Sequence, residues 1–95
     1  MEIQIKSLKF DADQKLVDFI EKKVSRLSRF HDGAGVAEVT LSLQKEGKDA
    51  KLQIHVPGEQ MVIERSAHTF EDAITECVDL MKEKLTRAKE KRNEA

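Results

Sequence analysis

Apolar positions along the chain switch between two periods, and the switches mark its elements. Glu2 to Phe10 begins by alternating, with Ile3 and Ile5 on one side and Glu2, Gln4 and Lys6 on the other. That is the pattern of a half-buried strand. From Asp11 the spacing lengthens. Leu16, Ile20, Val24 and Leu27 form a helical stripe, widened by Val17, Phe19 and Phe30. Asp11 is placed to cap this helix, with Gln14 three residues on as its capping-box partner and Phe10 as the staple residue. His31-Asp32-Gly33-Ala34-Gly35 ends it, since two glycines in three residues favour a helix stop and a loop.

Strict alternation returns over Val36 to Lys45, with Ala37, Val39, Leu41 and Leu43 inward and Glu38, Thr40, Ser42 and Gln44 outward. Glu46-Gly47-Lys48-Asp49 reads as a hairpin loop. Ala50, Leu52, Ile54 and Val56 alternate again against Lys51, Gln53 and His55, and Pro57-Gly58 makes a tight turn. Gln60 to Ala67 is a fourth strand of ambiguous facing, because Met61 and Ile63 share a side with Arg65. From Thr69 to Arg92 the period is helical once more. Phe70, Ile74, Cys77, Val78, Met81 and Leu85 fall on one face, Thr69 is a good N-cap, and Glu71 and Asp72 suit the positive end of the helix dipole.

The order is strand, helix, three strands, helix. A right-handed crossover makes the first two strands parallel neighbours, and short turns make the others antiparallel. Three strands with one apolar face, and two helices with one apolar stripe each, predict an α+β fold. In it two helices pack on one face of a four-stranded sheet whose other face is wet. Residues 1–95 are read as a single domain with residues 92–95 as a frayed tail.

Composition changes this picture little: 39% apolar and 37% charged residues describe a soluble, highly charged globular domain. No run approaches the roughly 18 apolar residues that span a membrane, and the N-terminus has no signal pattern. A single cysteine excludes a disulfide scaffold and fits a reducing cytoplasm. Charge matters more. The net value of −1 argues against a nucleic-acid binder until its distribution is considered. Lys22, Lys23, Arg26 and Arg29 stand in residues 22–29 with no acid. Residues 80–92 carry Lys82, Lys84, Arg87, Lys89, Lys91 and Arg92 against Glu83 and Glu90. Local clustering sets the local field, so a basic face on a near-neutral protein is feasible.

No catalytic constellation emerges. Cys77 lies on the apolar stripe and reads as a small core residue. His31 beside Asp32 is a weak acid–base signal, His55 faces the open side of the sheet, and His68 precedes the last helix. The three histidines share no metal-ligand spacing. Neither enzyme chemistry, a cofactor nor a small-molecule substrate is expected. With no Trp or Tyr, and four Phe at packing positions, the sheet has no rings on which single-stranded bases would stack. An RNA binder of this sequence would grip backbone and shape. Lys84, Arg87 and Lys91 lie at i, i+3 and i+7 on the last helix, with Lys82 and Lys89 on a neighbouring stripe; Lys22, Arg26 and Arg29 lie at i, i+4 and i+7 on the first. Two such stripes, side by side, would border one groove. The ordinary alternatives are surface ion pairs with Glu21, Glu83 or Glu90, and a small homodimer that uses its open sheet face or edge strand.

The first-helix stretch Leu16-Val17-Asp18-Phe19-Ile20-Glu21-Lys22-Lys23-Val24, followed by Leu27, Phe30 and Asp32, resembles the ribosome hibernation promoting factor family, also called ribosome-associated inhibitor or sigma-54 modulation protein. Thr69-Phe70-Glu71-Asp72-Ala73-Ile74 and Leu85-Thr86-Arg87-Ala88-Lys89-Glu90-Lys91 are similar to its last-helix opening and close, and the likeness covers the whole chain. The resemblance implies a double-stranded-RNA-binding-like fold on the small ribosomal subunit of 70S ribosomes. There it would contact 16S ribosomal RNA in the channel of messenger and transfer RNA and block translation in starved or stationary cells. Lys22, Lys23, Arg26, Arg29, Lys82, Lys84, Arg87, Lys89 and Lys91 are the expected RNA contacts. An end at Ala95 resembles the short form, which would favour ribosome pairing only with a second factor or by changing the subunit's conformation.

Overall fold

A computed structural model of the chain describes residues 1–94, with side chains through Glu90. The strands are β1 (Glu2–Leu8), β2 (Val36–Gln44), β3 (Gly47–Val56) and β4 (Glu59–Ala67); the helices are α1 (Gln14–Ser25) and α2 (Phe70–Glu94), with a 3-10 helix (Arg26–Phe30) continuing α1. The sheet runs β1-β2-β3-β4, with β1 parallel to β2 and the remaining pairs antiparallel. Its inner face (Val39, Leu41, Leu52, Ile54, Met61, Ile63) is buried against Ile20, Val24 and Leu27 on one side and Ile74, Met81 and Leu85 on the other. The predicted α+β architecture, order and strand directions are those observed. The ambiguity of β4 resolves with Met61 and Ile63 buried, while Arg65, opposite Ala50, stays exposed.

Small residues let α2 lie close to the sheet. Ala50 and Ala73 have no exposed surface, and the buried Cys77 thiol donates to the Ala50 carbonyl at 3.4 Å and approaches that of Ile63 at 3.8 Å. Thr69 caps α2 as predicted, its Oγ1 accepting from the Asp72 amide at 3.1 Å. Pro57-Gly58 forms the β3–β4 turn with Gly58 at φ 78°, the left-handed value that glycine adopts without steric cost.

Three local predictions are corrected. The cap of α1 is Asp13, whose carboxylate accepts from the Leu16 amide at 2.8 Å, and Gln14 bonds Asp18 instead of closing a capping box. Phe10 does not staple α1. It stacks on Phe70 with ring centroids 4.6 Å apart, fastening the β1–α1 connection to the start of α2. The β2–β3 turn is Lys45-Glu46, and Gly47, Lys48 and Asp49 belong to β3, paired to Gln44, Leu43 and Ser42. Longer pairing satisfies backbone groups that a loop would leave to solvent.

The α1 stripe also tightens earlier than its predicted end. Val24, Leu27 and Phe30 are spaced by three, and side chains three apart eclipse in a 3-10 helix. Ser25 and Ser28 reinforce the tightening by donating to the carbonyls of Lys22 (3.1 Å) and Ser25 (3.0 Å).

Candidate nucleic-acid interface

The change of helix type at Arg26 builds the site. In a 3-10 helix Arg26 and Arg29 stand one above the other, opposite the flank of α2 that carries Val78 and Lys82. Between them runs a groove of about 220 Å³ lined by Lys23, Arg26, Arg29 and Lys82, with Leu27, Phe30, Thr75 and Val78 as its floor and Asp79 as its one carboxylate among the described residues. Lys23 lies over the Phe19 ring at 5.7 Å and Lys82 over the Phe30 ring at 5.1 Å. These contacts hold two ammonium groups at the rim without neutralising them, each for about 0.5–1 kcal/mol at an exposed site.

Among the described residues none of Lys23, Arg26, Arg29 or Lys82 has a carboxylate within 4.0 Å, so the ion pairs with Glu21 and Glu83 do not form. Four cations against one carboxylate in so small a groove concentrate a positive field that the net charge of −1 conceals.

The remaining candidates are placed elsewhere. Lys22 is turned to the other flank of α1, beside Asp18, Glu21 and the Met1–Ile3 end of the chain. Lys84 and Arg87 do not face α1. They line a separate groove of about 430 Å³ between α2 and β4, with Glu59, Gln60, Met61 and Val62. Lys89 extends the first groove toward the loop after the 3-10 helix, where its ammonium is 3.8 Å from the exposed Asp32 carboxylate. Lys91 lies outside the described side chains. The stripe of α2 that meets the first helix is therefore Lys82 and Lys89. The predicted pairing of Lys84 and Arg87 with Lys22, Arg26 and Arg29 is not the one the fold makes. Val78 and Lys82, four apart, share the flank that the structure turns toward the first helix, where Val78 is half-buried.

The histidines stay apart. His31 is buried, its Nδ1 accepting from the Gly33 amide at 2.9 Å, and does not pair with Asp32. His55 is 3.4 Å from Glu38 on the open sheet face, and His68 sits with Asp72 and Glu76 by the start of α2. Burial pushes the Cys77 thiol up to about 11, with the Arg65 charge acting in the opposite sense, so it remains protonated in the neutral range. Among the described residues no group of three or more His, Cys, Asp or Glu is arranged to hold a metal ion, and no helix is long and apolar enough to cross a membrane.

Known proteins share this fold. The N-terminal domain of Protein Y from Thermus thermophilus superposes with a TM-score of 0.84 at 30% identity, over 92% of this chain and 98% of that one. A ribosomal subunit interface protein from Coxiella burnetii has the same fold, with a TM-score of 0.83 at 18% identity over 94% and 98% of the two chains. A ribosome hibernation promoting factor of Azotobacter vinelandii is 28% identical over 94 residues, 99% of this chain and 88% of that protein. The model of the family described as Sigma 54 modulation protein / S30EA ribosomal protein matches residues 3–93, and the chain belongs to that family.

Proposed function

We propose that this protein is a cytoplasmic, non-enzymatic inhibitor of translation that binds the small ribosomal subunit. On this reading it sits in the messenger and transfer RNA channel of starved or stationary-phase ribosomes and contacts 16S ribosomal RNA. The observation that carries the reading is the groove of Lys23, Arg26, Arg29 and Lys82, four cations without a carboxylate partner among the described residues. Phosphate oxygens are the complementary ligand, and such contacts supply affinity without base readout. Family membership, and a relative whose name is ribosome hibernation promoting factor, support the ribosome as the source of that RNA.

The molecule has a preferred side for the contact. The open sheet face carries Glu2, Glu38, Asp49 and Glu64 against Lys6 and Lys51, so it repels phosphate and turns away from the RNA.

Gradient sedimentation of lysate from starved cells, probed for the protein, tests the assignment. Co-migration with small subunits or 70S ribosomes is expected. Binding to purified subunits should weaken with a log–log salt slope of roughly −3.5 to −4.5 if about five cations meet phosphates. Absence from ribosomal fractions in starved cells sinks the proposal.

A further inference from the structure

We propose that the C-terminal half of α2 engages two separate RNA backbones at once, one on each flank. This rests on the RNA-binding reading above and goes beyond it by specifying the shape of the ligand. At about 100° per residue, Lys84 is rotated roughly 200° from Lys82, and Arg87 roughly 140° from it. The two cationic edges therefore lie on opposite sides of the helix. Met81 and Leu85, on the remaining inward side, are fully buried against the sheet.

Each edge opens on its own depression. Lys82 faces the 3-10 helix across the groove of about 220 Å³, and Lys84 and Arg87 face β4 across that of about 430 Å³. Among the described residues neither Lys84 nor Arg87 has a carboxylate within 4.0 Å, so their charge is as available as that of the first groove.

What separates the edges decides the ligand. The outward crest of α2 carries the exposed Glu83 and Glu90, seven apart and so on one line, with Asp79 beside it on the margin of the first groove. A phosphate backbone passing from one edge to the other must cross that acidic line and a helix about 10–12 Å thick. Like charges directly beneath it make that path unfavourable. One strand lies in either depression, but one strand does not fill both. The fitting ligand is folded RNA that presents two facing backbones, with α2 between them as a splint. A lone duplex face or an isolated single strand satisfies only half of the charge. An acidic protein segment laid along the free edge of β4 is the competing occupant of the second depression.

The test uses the whole chain and purified small ribosomal subunits. A thiol-linked photocrosslinker is placed on Ser28→Cys, exposed on the 3-10 helix whose Arg26 and Arg29 line the first groove, or on Gln60→Cys, which lines the second; Cys77 is buried and stays unlabelled. Two sets of crosslinked nucleotides, from RNA segments that do not overlap, are expected. The same nucleotides from both probes overturn the proposal. So do crosslinks to RNA from Ser28→Cys with only protein, or nothing, from Gln60→Cys; in that case the RNA-binding reading survives. RNA crosslinks from neither probe remove both.

Salt dependence gives a second readout. Lys84→Gln with Arg87→Gln, and separately Arg26→Gln with Arg29→Gln, should each reduce the magnitude of the slope by about 1.4–1.8, and the fourfold variant by about the sum. A slope untouched by the Lys84 and Arg87 pair means that their flank holds no backbone, and it overturns the splint.

Discussion

Asp79 offers the sharpest check on the first groove, because there a gain in binding is expected. It is the only carboxylate among the described residues that line the cavity of about 220 Å³, which it shares with Lys23, Arg26, Arg29 and Lys82. A space of that volume is roughly 7 Å across, so a phosphate held by the cations sits about that far from the carboxylate. In water two unit charges at this separation repel by about 0.6 kcal/mol, and by about 1.2 kcal/mol at an effective dielectric half as large. Screening leaves most of that at about 10 mM salt, where the Debye length is near 30 Å, and less than half at about 0.15 M. Asp79→Asn should thus tighten binding to small subunits roughly two- to fivefold at the lower salt and by no more than about twofold at the higher. Equilibrium binding of labelled protein across a salt series measures it, with Glu46→Gln in the distant β2–β3 turn as the neutral control. Unchanged or weaker binding at low salt would refute the argument that phosphate enters this groove.

Other outcomes test the local physics. Asp13→Ala should cost about 1 kcal/mol in urea unfolding by removing the cap on the Leu16 amide, and Asp11→Ala should cost nothing measurable. Gly33→Ala would place a methyl 2.5 Å from Cδ of Pro57 and 3.0 Å from Cε1 of His31, for a loss of about 1–3 kcal/mol, whereas at Gly35 nothing lies within 4 Å and alanine should be tolerated. Cys77 couples stability to alkali. Its folded value of about 11 lies above the ordinary 9.0, so the stability it contributes is fully present below about pH 9 and lost as pH rises through about 11. The stability difference between wild type and Cys77→Ala should shift over that window in chemical unfolding; a constant difference contradicts the burial argument.

The element order was legible because each period was clean and local: alternation over Val36–Gln44 and Ala50–Val56, and helical spacing through Ile74, Cys77, Met81 and Leu85. What escaped depended on contacts distant in sequence. Asp11-Ala12-Asp13 contains two acceptable caps, and the chain's path to α1 is fixed by the Phe10–Phe70 stack, sixty residues apart. The early end of α1 did leave a trace, the three-residue spacing of Val24, Leu27 and Phe30, but that spacing also fits the edge of an α-helical stripe.

The site follows the same division. Clustering of cations is written along the chain, so Lys23, Arg26, Arg29 and Lys82 were within reach of a sequence reading. Which flank of α2 meets the first helix is not, because a wheel drawn on the sequence has two equivalent sides. The sheet breaks that symmetry. With β1 at one edge and β4 at the other, α1 and the 3-10 helix cover the β1 side, and α2 lies over β3 and β4. The flank carrying Val78 and Lys82 is then turned toward α1, and the flank carrying Lys84 and Arg87 hangs over the outer edge of β4. Burying Met81 and Leu85 requires that rotation, so the separation of the two cationic edges is a consequence of core packing. Charge placed at Lys84 can serve the first groove only if α2 turns by about half a revolution, which would expose its apolar stripe to water. Each of the large side chains so exposed forfeits about 1.5–3 kcal/mol.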